Sequence, residues 1–382
     1  MKKLLYITGD LSIAGGIGRM VVAKANWLAN HGYDVSLLIT DYTGNPSFYS
    51  IDKRIKIDYV DINFLAIYNN KRNLIGFIKS GYQRIRDNRR FKKFLKTYLT
   101  DHQFDIVFTT ANMGVLNSVH DGSKKIYETH FSTQGNIYFL QSINCIKRFL
   151  YSLYNYYQDS QLTRYDKIVL LTKRDLTLKK WPANTTIIPN FITIDEPQTY
   201  PDYSSKNVIT VGRLDIPKGY DYLIPAWKIV AEKHPDWNLH IYGHSYGRTE
   251  YYQKMIDDNN LHDKVIIHNP VTNIQSEYLN SSFYVMSSRY EGFPLVLGEA
   301  MICGLPCVSY DTNCGPSEII KDKEDGLIVP NVGDIEGLSK AICWMIEHDD
   351  MRSQMGHIAK ENVKRFDINV VMKLWCDLIE NL

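Results

Sequence analysis

Nothing in the 382 residues reads as a membrane span, since no stretch approaches the roughly 18 consecutive apolar residues that one requires. The opening MKKLLYITGD has too few apolar residues before Asp10 for the core of a signal peptide. A cytoplasmic protein is therefore expected, with any membrane contact peripheral. Low-complexity tracts are also missing. With 44% hydrophobic and 23% charged residues, the chain has material for two ordinary domains with cores of their own. The six cysteines (145, 303, 307, 314, 343 and 376) are scattered, without a Cys-x-x-Cys pair. That spacing argues against structural zinc and for free thiols in a reducing compartment.

The formal net charge of +2 hides a strong asymmetry. Residues 1–190 hold 27 Lys+Arg against 14 Asp+Glu, and residues 191–382 hold 17 against 28. Much of the positive excess lies in KRNLIGFIKSGYQRIRDNRRFKKFLK (71–96), with ten basic residues and one acid. Leu74, Ile75, Ile78, Ile85, Phe94 and Leu95 recur there at roughly helical spacing, which predicts an amphipathic helix with these residues beneath the charges. Two readings stay open: a solvated helix face, or a basic face against an anionic membrane surface. The basic half contains no recognisable nucleic-acid-binding module.

The order of elements is strand then helix, twice over. KLLYITG, YDVSLLIT, KIDYV, FDIVFTT, KKIYETH, KIVLLT and TTIIPN read as short strands, most of them separated by helical stretches such as 18–31, 71–99 and 143–163. That alternation implies a mainly parallel sheet with helices on both faces. After FITIDEPQTYPDYSSK (191–206), which has two prolines and no periodicity, the pattern restarts with NVITVGRL and runs through WNLHIYG, KVIIHN, FYVMSS, PCVSY and GLIVP. The expected organisation is α/β: a first domain over 1–190, a linker over 191–206, and a second doubly wound domain over 207–366. The amphipathic stretch 367–382, with Val371, Leu374, Trp375 and Leu378 on one side, closes the chain. Open sheets bind ligands beyond the carboxyl ends of their strands, so the cleft between two such domains is the expected site.

Motifs fall at those strand ends. Gly15-Gly16-Ile-Gly18-Arg19 follows the first strand, where glycines let backbone N–H groups approach an anion. It fails the dinucleotide pattern, because Val21 stands where the third glycine of Gly-x-Gly-x-x-Gly is needed. In VGRLDIPKGYDYLI, Arg213 and Lys218 sit between a strand and a helix, as a fork and a point charge suited to a diphosphate. RYEGFPLVLGEAM places Glu291 in a loop and Glu299 on the helix that follows, with Pro294 expected in its first turn. Carboxylates spaced in that way suit a two-point grip on one extended ligand better than a paired acid and base.

Taken together, Glu291-x7-Glu299 within EGFPLVLGEAMICGLPCV, the preceding VGRL…KG, the Gly-Gly loop after the first strand and ETH at a later strand end resemble the retaining family 4 glycosyltransferases. These are enzymes of the GT-B fold that include bacterial polysaccharide and lipopolysaccharide transferases, and the resemblance spans essentially the whole chain. It implies two Rossmann-like domains facing a cleft, a terminal helix crossing back to the first domain, and a hexosyltransferase that needs neither metal nor cofactor. By resemblance, Glu299 binds the donor ribose and Glu291 the donor sugar, while Arg213 and Lys218 hold the diphosphate. Gly243, Gly292 and the backbone of Phe293, Pro294, Leu295 and Val296 complete the donor site. His130 lies near the reacting centre, and Gly15 and Gly16 line the acceptor side, Gly16 touching the donor as well. DTNCGPSEII (311–320) looks like the Gly-Pro loop of relatives that use UDP-hexoses. The implied partners are a UDP-sugar and a saccharide or lipid-linked saccharide. His244-Ser-Tyr-Gly247 and IIHNP depart from the family's usual acidic-Gly turn and aromatic-glycine pair. Two alternatives stand beside this reading: a sugar-nucleotide epimerase or hydrolase of the same fold, and a non-catalytic nucleotide-sugar-binding protein.

Overall fold

The computed structural model describes residues 1–60, 62, 74–111, 114–130, 133, 135, 137, 140 and 145–382, except for the side chains at 74–82, 84, 146, 147 and 150. Short runs rich in Val, Ile, Leu and aromatics form the strands, and most are buried along nearly their whole length, as parallel sheets covered on both faces require. Among the described residues the first sheet has seven parallel strands: β1 (Lys3–Thr8), β2 (Asp34–Ile39), β3 (Lys56–Tyr59), β4 (Ile106–Thr109), β5 (Lys124–Glu128), β6 (Lys167–Leu170) and β7 (Thr185–Ile187). They lie in the order β3-β2-β1-β4-β5-β6-β7, with Leu4 opposite both Val35 and Ile106.

The second sheet has six strands: β8 (Asn207–Val211), β9 (Asn238–Tyr242), β10 (Val265–His268), β11 (Phe283–Met286), β12 (Cys307–Tyr310) and β13 (Gly326–Val329). Its order is β10-β9-β8-β11-β12-β13. In both sheets the order reverses once, between β1 and β4 and between β8 and β11. Crevices open at such switch points, beyond the strand ends. The two domains are thus the α/β, GT-B-like pair that the sequence led us to expect. Phe191 belongs to the first domain's core, whereas Ile192 and Ile194 pack against the second.

The terminal helix, Ile368–Glu380, returns to the first domain and buries Val371, Met372, Trp375 and Ile379 against Leu4, Tyr6 and Phe108. Trp27 Nε1 donates to Asn369 Oδ1 at 3.0 Å, and Tyr33 OH to Glu380 Oε1 at 2.8 Å. Leu374, expected on the packing face, is 45% exposed. The buried stripe runs through 371, 372, 375 and 379 with Leu378 partly covered, and a 3.6-residue period turns position 374 outward.

The basic segment forms part of a long helix, Leu74–His102. Asp87, Phe91, Leu95, Tyr98 and Leu99 are buried and Phe94 is partly covered, while Arg86, Arg89, Arg90, Lys92 and Lys93 are exposed. Ile85 is exposed too, contrary to expectation, because it lies on the charged face. Residues 71–73 and the side chains of Leu74, Ile75 and Ile78 lie outside the described residues. No helix among the described residues is long and apolar enough to cross a membrane.

Candidate active site

The second domain's switch point gathers the charged side chains. The chain leaves β8 through Gly212 and β9 through Gly243, whose backbones meet so closely that a Cβ on Gly243 would fall 1.8 Å from the Gly212 carbonyl oxygen. Arg213 stands exposed just beyond, its guanidinium carbon 5.4 Å from the centre of the Tyr246 ring. Asp215 caps the short turn Ile216–Lys218 by accepting from the Ile216 amide at 2.8 Å. At Gly219 the chain takes φ 65°, and a Cβ there would lie 2.1 Å from the Ser287 carbonyl oxygen at the end of β11. This close approach brings Lys218 to Glu291, its Nζ donating to Glu291 Oε1 at 2.7 Å. Ser288 Oγ donates to the same oxygen at 2.6 Å. Glu291 Oε2 keeps no protein partner among the described residues, and two of the three Lys218 donors stay available.

Beyond Glu291, Gly292 and Phe293 lead into the helix Leu295–Ile302, with Phe293 buried edge-on against Phe366 at 5.1 Å. Pro294 is the N-cap (φ −72°, ψ 100°) and not the first-turn residue that the sequence suggested. Because proline offers no capping side chain, the amides of Leu295 and Val296 open the helix uncapped, with the positive end of its dipole. Glu299 lies deeper and is 3% exposed. Its Oε2 accepts from Tyr278 OH at 3.4 Å, and its Oε1 lies 2.5 Å from Arg19 Nη1 of the first domain. The pair is close enough for a strong attraction but is not aligned as a hydrogen bond, since Oε1 has no hydrogen-bonding partner. Arg19 was visible in the sequence only as the tail of the glycine loop; its partner lies 280 residues away.

Across the cleft, Gly15 and Gly16 begin the helix Gly16–Asn30, and Tyr49 OH bridges the Gly15 amide and carbonyl at 3.0 and 3.1 Å. A Cβ on Gly16 would sit 3.6 Å from Leu295 Cδ1, so the glycine loop of the first domain and the Leu295–Ile302 helix of the second touch there. His130 follows β5 with its side chain 4% exposed and Nε2 3.5 Å from Glu128 Oε2. The structure brings His130 together with Glu128 of the same ETH run and with Lys24, which lies in no sequence motif. Lys24 pairs with Glu128, both nearly fully buried, and Lys24 Nζ also sits 3.6 Å above the ring of Trp375 from the terminal helix. Burial pushes the Glu128 carboxyl up, but Lys24 and His130 outweigh it and hold it below the usual range. Glu128 Oε1 and His130 Nε2 are buried without hydrogen-bond partners among the described residues. A cavity of about 10 Å³ lies among Lys24, Glu128, His130 and Trp375, about the size of one water molecule.

A further contact ties the domains together. Glu318 accepts from the backbone amides of Lys173 (2.9 Å) and Arg174 (2.7 Å), which follow β6. The Arg174 guanidinium reaches back to Asp311 and to Ser317 Oγ at 2.6 Å. Asp175, pushed up by burial, takes the Thr133 amide at 3.3 Å and lies 3.7 Å from Cys314 Sγ. The DTNCGPSEII loop therefore serves as a bridge to the first domain in this structure.

Comparison with known proteins agrees with this geometry. Residues 193–362 match the family model for Glycosyl transferases group 1. An uncharacterized glycosyltransferase of Haemophilus influenzae is 28% identical, covering 98% of this chain and 99% of its own. The amylovoran biosynthesis glycosyltransferase AmsD of Erwinia amylovora is 25% identical over 99% of this chain and all of its own. A structure of S. aureus TarM in complex with Fondaparinux, alpha-GlcNAc-glycerol and UDP superposes with a TM-score of 0.76 at 18% identity, covering 99% of this chain and 100% of that one. The architecture is the two-domain GT-B fold. Two relatives that match along their full length, from Haemophilus influenzae and Erwinia amylovora, are glycosyltransferases by name.

Proposed function

We propose that this protein is a retaining, family 4 glycosyltransferase of bacterial surface polysaccharide assembly. It moves a hexose or N-acetylhexosamine from a UDP-sugar to a saccharide or lipid-linked saccharide. The observation that carries the reading is the Lys218–Glu291 contact at the β8/β11 switch point, with Arg213 just past β8 and the uncapped amides of Leu295 and Val296 on the helix that follows β11. Cleaving an anomeric C–O bond leaves an oxocarbenium-like sugar and a charged nucleoside diphosphate. Fixed cations and N–H dipoles aimed at that leaving group lower the barrier without requiring a metal. Glu291 Oε2 accepts a sugar hydroxyl, and Glu299 takes the ribose as Arg19 shifts to share its carboxylate. TarM's complex with UDP supports the choice of nucleotide, and the relative AmsD, named for amylovoran biosynthesis, supports the class of product.

The donor diphosphate lies between Arg213 and the Leu295–Val296 amides, with His130 and Gly16 across the cleft. Same-face attack, with the leaving phosphate taking the acceptor's proton, gives retention. The basic first domain faces the cytoplasmic side of an anionic membrane through Arg86, Arg89, Arg90, Lys92 and Lys93. Each of these contributes about 1 kcal/mol near such a surface. The test is incubation with individual UDP-sugars and lipid-linked or free saccharide acceptors, in chelator, reading product anomeric configuration by NMR. An α-linked product from an α-linked donor supports the proposal; sugar release without transfer, or a strict metal requirement, contradicts it.

A further inference from the structure

The first domain has a second polar recess, at the end of its sheet opposite the cleft. A groove of about 840 Å³ runs past the starts of β5 and β6, between the 117–125 loop, Arg164 and Lys92 of the long basic helix. Its volume falls within the roughly 300–1,000 Å³ typical of ligand pockets.

The groove's charges do not cancel. Both acids are engaged: Asp166 takes Lys124 Nζ at 3.0 Å and the Lys125 amide at 2.8 Å, and Asp121 Oδ1 takes Lys125 Nζ at 2.6 Å. Lys125, 6% exposed, also donates to the Ser123 carbonyl and hydroxyl oxygens at 3.1 and 3.2 Å, so its charge is consumed internally. Arg164 and Lys92 remain, both exposed and without an acidic partner among the described residues, with His120 beside them.

Two buried oxygens complete the pattern. Asn117 is 7% exposed and spends its Nδ2 on the Gln161 carbonyl at 3.2 Å, leaving Oδ1 with no donor. Asp121 Oδ2 is likewise buried, in a side chain 1% exposed, and neither oxygen has a partner among the described residues. A buried acceptor without a donor costs about 1–3 kcal/mol, so both oxygens call for O–H or N–H groups from outside the chain. Hydroxyl donors are needed at Asn117 and Asp121, and anionic groups at Arg164 and Lys92. One ligand class offers both: a sugar with hydroxyls and a carboxylate or phosphate substituent.

We propose that this groove is an accessory binding site for an anionic saccharide segment, distinct from the cleft and separated from it by the length of the sheet. An acceptor glycan held there would keep a growing chain on the enzyme between transfers.

The proposal does not depend on the transfer reaction, and neither does its test. Isothermal titration calorimetry at low salt, with no donor present, is run with tetragalacturonate, glucose 6-phosphate, maltotetraose and inorganic phosphate. At least one of the two anionic saccharides should bind about tenfold more tightly than both maltotetraose and inorganic phosphate, and the better of them identifies the anionic group. Arg164→Glu and Lys92→Glu, both exposed positions, should each weaken that binding about tenfold while UDP titrates as in wild type. Equal binding of inorganic phosphate, no binding of either anionic saccharide, or indifference to both variants would overturn the assignment.

Discussion

Lys24→Met tests how the terminal helix and the floor beneath His130 are held together. Methionine preserves the length of the side chain while removing its charge. Glu128, 2% exposed, then loses its counter-ion, and breaking a buried pair from one side costs about 3–5 kcal/mol. The ammonium over Trp375 at 3.6 Å is lost as well, a contact worth about 2 kcal/mol when desolvated. The two losses overlap, so the expected total stays near 3–5 kcal/mol. The sign of its pH dependence follows from Glu128. Without Lys24, burial dominates and raises the carboxyl's folded pKa above its unfolded value, so the folded state binds the extra proton. The deficit should therefore be largest near neutral pH and shrink as pH falls toward the carboxylate range. Adding Glu128→Gln removes the stranded charge and should recover about 2 kcal/mol. Urea unfolding followed by tryptophan fluorescence reads all three proteins. A Lys24→Met loss below about 1 kcal/mol, or a double variant no more stable than Lys24→Met, would show that the buried Lys24–Glu128 pair does not hold this floor together.

Other outcomes follow from the cleft. Arg213→Ala and Lys218→Ala should slow transfer more than they weaken donor binding, whereas Glu299→Gln should chiefly weaken binding; three variants kinetically equal to wild type would remove the site. Glu318→Ala leaves the Lys173 and Arg174 amides without their acceptor, and together with Arg174→Ala should open the cleft, seen as a larger radius of gyration in X-ray scattering; an unchanged radius would show that other contacts set closure. His240 and His268, whose rings are hydrogen-bonded at 2.9 Å, both have lowered pKa values, caused first by burial and at His240 also by the charge of His268. The unfolded chain therefore takes up protons that the folded one refuses, and stability should fall as pH drops below about 6.5. His240→Gln should flatten that fall in urea titrations at successive pH values; an identical slope would exclude the pair as its source.

The sheets were legible because parallel strands buried on both faces read as short, continuous apolar runs, and because Pro and polar residues interrupt the pattern at 191–206. Glu291, Arg213 and Lys218 were legible as charges at strand ends, where topology places ligands. Arg19, Lys24 and Glu318 were not, since each takes its place from a partner more than 100 residues away and no local pattern encodes that distance. The outward turn of Leu374 and of Ile85 shows a second limit. Helical period marks a broad stripe, and only packing decides which residues at its margin are covered.

We infer that the β8/β11 switch point grips the diphosphate of a nucleotide sugar. The most direct test of that grip is calorimetric titration of UDP, UMP and uridine into the wild-type protein and Lys218→Ala, in chelator. The wild-type protein should show one UDP site, with affinity decreasing from UDP through UMP to uridine, and UDP binding should weaken about tenfold in the variant. UDP binding no tighter than uridine binding, or unaffected by the loss of Lys218, would contradict such a grip.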